Sequence, residues 1–136
     1  MSAGDDLWNA IHEALEGNAG LMAMVDGVHD KVPKDPWRSK QVYVSRGPFS
    51  GTAEDAECIP GQELAAQIDV WSRRPSRWSV DRVIGVIRDV LHEAYLPLAS
   101  GTLATMHVRM WRVTDDPDPN QQHGIVQILA IVEDAV

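Results

Sequence analysis

The chain has 136 residues, of which 44% are hydrophobic and 24% are charged, and its formal net charge is −8. This length supports one domain over residues 1–136 with a two-layer core, but not two domains with separate cores. No apolar run approaches the roughly 18 residues of a membrane span, and the acidic start lacks the basic and apolar regions of a secretory signal. We therefore expect a soluble protein without a membrane partner, which stays in the cytoplasm where it is made.

Clustered acidic residues disfavour direct binding of nucleic acid. One cluster contains Glu54 and Asp55, a second contains Asp115 and Asp116, and a third closes the chain. Such surfaces repel phosphate groups. The single cysteine, Cys58, excludes an internal disulfide, and its acidic neighbours would raise the pKa of the thiol. A loop thiol is therefore favoured over a nucleophile.

The first part of the chain is predicted to form helices and then two short strands. Apolar residues at helical spacing predict a helix over Asp6–Glu16 that ends at Gly17. One further helical turn is predicted over Leu21–Val25. Strands are predicted over Val28–Val32, where a proline follows, and over Gln41–Arg46.

The segment Gly47–Gly61 is predicted to be a long irregular loop. It contains three glycines and two prolines among small and acidic residues. Loops of this length in a compact domain are usually functional or disordered. Because the segment has too few apolar residues to hold itself by burial, we expect it to be mobile in the free subunit and ordered against a neighbouring subunit or against another protein of the same assembly.

The central part of the chain is predicted to be a half-buried strand followed by an amphipathic helix. Residues 64–73 alternate in polarity, so that Ile68 and Val70 face the core while Trp71 and Arg73 face the other side. A single apolar stripe then runs along the helix predicted from Val80 to Leu91. This helix is expected to cover the core face of the sheet.

The last part of the chain is predicted to be a hairpin. In the strand Thr102–Val113, three apolar residues alternate with His107, Arg109 and Trp111. A strong turn signal over 115–120 precedes the strand Ile125–Val132, both faces of which are largely apolar. That strand is therefore either central in the sheet or covered on its outer face. The order of elements favours an α+β fold: a mostly antiparallel sheet of four to five strands with two helices on one face.

The sequence offers no pattern for catalysis. The five histidines are not at metal-ligand spacing, and phosphate-binding, dinucleotide-binding and nucleophile-elbow motifs are absent. The paired carboxylates lie in solvated loops, where nothing shifts their pKa values. We therefore expect no enzyme activity, and we nominate no catalytic residue, metal ligand or cofactor.

Tryptophan and arginine are the better indication of function, because both are enriched in interface hot spots. Trp71 and Trp111 are predicted on the sheet face opposite the helices, together with Arg73 and Arg109. This pattern favours a protein partner on that face. The alternative is that a loop of the same chain covers it.

A basic cluster at the strand-to-helix turn includes Arg73 and Arg74, and it could meet an acidic loop of another copy. The acidic residues proposed for such contacts are Glu54, Asp55, Asp115 and Asp116. The alternative is that the cluster is only a solvated turn.

Several segments together resemble the tail terminator, or tail completion, proteins of long-tailed bacteriophages and gene transfer agents. The similar segments are Val28–Pro33, Gln41–Val44, Ile68–Arg73, the helix Val80–Leu91 with the residues after it as far as Leu98, and Asp115–Asp118 ahead of His123-Gly124. The resemblance extends over nearly the whole chain, and Ile68–Arg73 is its most specific part.

The resemblance implies a structural virion protein at the head-proximal end of the tail, assembled in the host cytoplasm. Such proteins form a ring, usually a hexamer, that caps the tail tube, stops its polymerisation and provides the head-joining surface. The implied partners are other copies of the chain, the tail tube protein and a head-neck connector protein, with DNA only as cargo passing through the lumen. Two rival interpretations stay open: an adaptor or stopper protein of the neck, and a small accessory enzyme or ligand-binding module.

Overall fold

The structure is a computed structural model that describes residues 2–56 and 59–134, with side chains at all of these positions except 54–56 and 59. Cys58 therefore lies outside the described residues. In chain order, the elements are α1 (Ala3–Glu16), α2 (Ala19–Met22), β1 (Val28–His29), β2 (Val42–Ala56), β3 (Ile59–Ser72), α3 (Trp78–Leu91), β4 (Thr102–Asp115) and β5 (Gln122–Glu133).

The five strands form one sheet in the order β1-β2-β3-β5-β4. Only the β1–β2 pair is parallel, and the other three pairs are antiparallel. The prediction of a mostly antiparallel α+β sheet in a single domain is confirmed. Strand β5 lies between β3 and β4, which confirms the central position that was one of the two alternatives for a strand with largely apolar faces.

The helices cover one face of the sheet, and the core lies between the two layers. Ser2 caps the start of helix α1, since its side chain accepts a hydrogen bond from the backbone of Asp5, and Gly17 caps the end of the helix. The predicted stripe of α3, from Val80 to Leu91, is buried against the sheet. Among the described residues, no helix is long and apolar enough to span a bilayer.

Helix α3 rests on the sheet at Gly124 of β5. A Cβ atom at this position would lie 2.5 Å from Cγ1 of Val80 and 2.9 Å from Cδ1 of Ile84. Distances below about 3.0 Å are not found between packed carbon atoms, so this position requires a residue without a side chain. The glycine thus sets how closely the helix approaches the strand.

The prediction of an irregular loop over Gly47–Gly61 was wrong. Strand β2 continues to Ala56, and β3 begins at Ile59, with Cα pairing from Phe49↔Ala66 as far as Ala56↔Ile59. The segment is held by cross-strand pairing rather than by apolar burial, and β3 in turn pairs with β5 as far as Gly61↔Glu133. Its glycine and proline at 47–48 lie where the β2–β3 register shifts, at a bulge. Its ordering against a neighbouring subunit stays a prediction.

Candidate functional site

The face of the sheet opposite the helices carries a cluster of polar and aromatic side chains. Trp71 of β3 and His123 of β5 are register partners on this face, and their rings stack with centroids 3.8 Å apart and planes 8° apart. The indole Nε1 of Trp71 donates a hydrogen bond to Oγ of Ser45 on β2, at 3.3 Å. Trp71 therefore lies on the face that the sequence predicted, but it is half-buried and has contacts within its own chain.

A buried carboxylate holds the stacked histidine in place. Asp69 is only 8% exposed, and its Oδ1 lies 2.8 Å from Nε2 of His123. The side-chain amide of Gln67 donates to the same oxygen at 2.8 Å. These contacts fix the imidazole, and the imidazole in turn fixes the indole of Trp71. A rigid aromatic side chain loses little conformational entropy when a partner covers it, which suits an assembly surface.

One corner of this face is covered by the connection between β1 and β2. The ring of Trp37 packs edge-on against Tyr43 with centroids 4.8 Å apart, and the guanidinium of Arg73 lies 4.4 Å from the centroid of Trp37. Burial raises the pKa of the Tyr43 hydroxyl, while the charge of Arg73 opposes that shift. At this corner, a loop of the same chain covers the sheet, so Arg73 is engaged within the subunit.

The rest of the face is an open, shallow depression with a cavity of about 200 Å³. Its walls include Ala65 and Gln67 of β3, Gln127 and Leu129 of β5, and Arg109 of β4. Arg109 is exposed. The depression combines small, apolar and amide groups with one guanidinium, a composition that suits a protein surface rather than a charged small ligand.

The prediction that Trp111 lies on the same face as Trp71 was wrong. The β4–β5 register shifts between Val108 and Met110, so that Trp111 pairs with Val126, a core residue on the helix side. A bulge adds one residue and reverses every side chain beyond it. Trp111 is 45% exposed, and the guanidinium of Arg88 on α3 lies 3.3 Å from its ring centroid.

The basic turn after β3 pairs with an acidic residue of its own chain. Arg77 donates two hydrogen bonds of 2.8 Å to the carboxylate of Asp115, and this contact raises the pKa of the Arg77 guanidinium. Asp116 caps the β4–β5 turn by accepting from the backbone of Asp118 at 2.9 Å. Asp115 is thus satisfied without another copy, whereas Arg74 is exposed.

The acidic residues Glu54 and Asp55 are placed by backbone only. Both lie in β2, where their Cα partners in β3 are Gly61 and Pro60. Their side chains lie outside the part of the chain that the structure describes, so their predicted contacts stay predictions.

Sequence reasoning missed a surface groove beside the start of α3. Trp78 is 65% exposed there, and it lines a cavity of about 330 Å³ together with Met24, Lys40, Arg74 and Arg82, among others. A signal existed in the sequence, because Trp78 falls outside the apolar stripe of its helix. A large aromatic residue off that stripe is expected in solvent or at an interface.

Comparison with known proteins supplies the context for these surfaces. The family model described as tail completion protein gp17 matches residues 9–133, which is most of the chain and includes all five strands. The chain belongs to the tail completion protein gp17 family. As a member of that family, it is a structural protein of phage-type tails.

A solved structure shares the fold of this tail completion protein. A chain from the structure titled "Virion of native gene transfer agent (GTA) particle" superimposes with a TM-score of 0.87. The match covers 97% of this chain and 98% of that chain, at 22% sequence identity. No curated protein sequence gave a significant match.

Proposed function

We propose that this tail completion protein is a tail terminator. In this role, several copies form a ring on the head-proximal end of the tail tube, stop its polymerisation and provide the surface to which the head is joined. The observation that carries the proposal is the match to the tail completion family over residues 9–133. The similar chain in a gene transfer agent virion supports it, since that particle contains a protein of this fold.

The two edges of the sheet support assembly of several copies. On its outer side, β2 pairs with β1 only at residues 44 and 45, so its long continuation to Ala56 borders no other described strand. Strand β4 forms the opposite edge. Edge strands present unpaired backbone groups that readily add a further strand. Contacts between unlike surfaces of successive copies close into a ring when the rotation between them divides a full turn.

The open face around Trp71 supports a further protein contact. Its indole is stacked on His123, and the half-buried residues Gln127, Leu129 and Ile131 lie further along β5 on the same face, opposite the helices. We assign this face to the tube protein or to the neighbouring copy. The net charge of −8 suits a ring through which DNA passes, because like charges prevent the phosphates from sticking.

The test is native mass spectrometry of the protein alone and mixed with the tail tube protein of the same particle. We expect a closed oligomer, most simply a hexamer, either alone or on the end of the tube. Addition of the protein to polymerising tubes should also shorten them, as measured by electron microscopy. A species that stays monomeric alone and with tubes, and that leaves tube length unchanged, would overturn the proposal. Binding to portal complexes but not to tubes would instead indicate a neck protein.

A further inference from the structure

The groove beside α3 is basic. Among the described residues, its wall carries three cationic side chains, from Lys40, Arg74 and Arg82, and no carboxylate. The guanidinium of Arg82 lies 4.7 Å from the ring centroid of Trp78. The groove therefore presents positive charge beside an exposed aromatic surface, in a chain whose net charge is −8.

These three cations differ from Arg77 of the same turn, which is paired with the carboxylate of Asp115. For Lys40, Arg74 and Arg82, no carboxylate of the described residues lies within ion-pair distance. Three like charges in one groove repel each other, so an anionic partner would relieve that repulsion.

The opposite end of the sheet carries the complementary charge. A pocket of about 400 Å³ there is lined by Asp6, Gln62, Glu133 and Asp134, among others. Asp6 is only 3% exposed, and its Oδ1 has no hydrogen-bond partner among the described residues. A buried carboxylate without a donor is unfavourable, and its charge adds to that of Glu133 and Asp134 at this end of the subunit.

One subunit cannot bring its own two ends together. The groove lies just after the end of β3 and the acidic pocket near its beginning, and β3 spans roughly 33 Å from Gln62 to Ser72. We propose that the basic groove of one copy receives the acidic end of the next copy, so that Arg74 and Arg82 face Glu133 and Asp134. This inference rests on the proposed assembly of several copies and names the surfaces that join them.

The contact joins two different surfaces, so it is heterologous and propagates from copy to copy. Each copy uses its groove once and its acidic end once. A ring built in this way leaves no basic groove unfilled and no acidic end exposed. An isolated copy leaves both unsatisfied, which favours association.

The experiment uses three variants of the full chain. The groove variant carries Arg74→Glu and Arg82→Glu, the end variant carries Glu133→Lys and Asp134→Lys, and the quadruple variant carries all four changes. Association is measured by native mass spectrometry and analytical ultracentrifugation, with and without tube protein. Thermal melting shows whether each variant is folded.

We expect the groove variant and the end variant each to associate at least about tenfold more weakly than the wild type, because like charges then meet across the contact. Both should melt near the wild-type temperature. The quadruple variant should recover association, because opposite charges meet again in reversed order. An equimolar mixture of the groove and end variants should also recover it, because in alternating copies an acidic groove meets a basic end and a basic groove meets an acidic end. A variant that does not fold is replaced by the neutral versions Arg74→Gln with Arg82→Gln, or Glu133→Gln with Asp134→Asn, for which a smaller loss is expected.

Two results would overturn the inference while the proposed function stands. In the first, the wild type assembles and both charge-reversed variants assemble equally well. In the second, each folded variant fails to assemble and neither the quadruple variant nor the mixture recovers, which would mean that these residues contact the tube protein or another acidic partner. Failure of the wild type itself to assemble, alone or with tubes, would overturn the proposed function.

Discussion

Replacement of Gly124 by alanine tests how α3 is held on the sheet. The added Cβ would lie 2.5 Å from Cγ1 of Val80, 2.9 Å from Cδ1 of Ile84 and 3.3 Å from Cβ of Val70. The first two atoms belong to α3 and the third belongs to β3, so the helix has to move outward or its side chains have to leave their rotamers.

We expect Gly124→Ala to lower the free energy of unfolding by about 2 kcal/mol, within the range of about 1–3 kcal/mol for overpacked cores. For a chain of this size, that corresponds to a fall in melting temperature of roughly 6–10 °C. Chemical denaturation followed by circular dichroism measures the change directly.

The matched control is the same substitution at Gly85, in the middle of α3. A Cβ at that position meets nothing within 4 Å. Gly85→Ala should therefore raise the free energy of unfolding by about 0.5–1 kcal/mol, through helix propensity alone. The same added methyl group should thus lower the free energy of unfolding at position 124 and raise it at position 85.

A double variant identifies the contact. Val80→Ala removes the nearest clashing atom, so combining it with Gly124→Ala should cost at least about 0.5 kcal/mol less than the sum of the two single changes. The reasoning is refuted if Gly124→Ala is neutral or stabilising, or if the two changes are additive.

Three further predictions concern Trp71, Tyr43 and the edge of β2. Trp71→Ala should lower the free energy of unfolding by about 1–3 kcal/mol, measured by denaturation, because the stack on His123 is lost. An unchanged free energy of unfolding would mean that the indole does not stabilise the folded subunit. Since burial raises the pKa of the Tyr43 hydroxyl in the folded state, its stabilising contribution is present below about pH 10 and is lost as pH rises through the raised pKa. Tyr43→Phe should remove that part of the alkaline fall in melting temperature, and an unchanged alkaline slope would contradict the burial argument. Within residues 49–56, the amides that face away from β3 should exchange fast in the free subunit and slowly after assembly; equal protection in both states would mean that this edge has no neighbour.

The positions of Trp71 and Trp111 show which parts of the site could be predicted from the sequence. Alternation along 64–73 placed Trp71 correctly on the face opposite the helices. The same reasoning failed for Trp111, because a bulge near Val108 adds one residue and turns the indole to the helix side. A bulge depends on pairing with another strand, so alternation within one strand does not reveal it.

The stacking of Trp71 on His123 and the hydrogen bond to Ser45 were also invisible in the sequence. The three residues lie on three different strands, and their contact depends on the register β2-β3-β5. The pairing of Arg77 with Asp115 has the same origin, since the two residues meet only when the β4–β5 turn reaches the start of α3.

The sequence by itself determined the type and order of the elements, because hydrophobic periodicity and helix-ending glycines act over a few neighbouring residues. Thus α1, α3 and the final hairpin lie where the patterns predicted them, within a few residues at their ends. Only the tertiary structure decided that Gly47–Gly61 is mostly strand and that the charges separate into a basic groove and an acidic end. Both features arise from pairing and packing between residues distant in the chain, whose energies are not encoded in any local pattern.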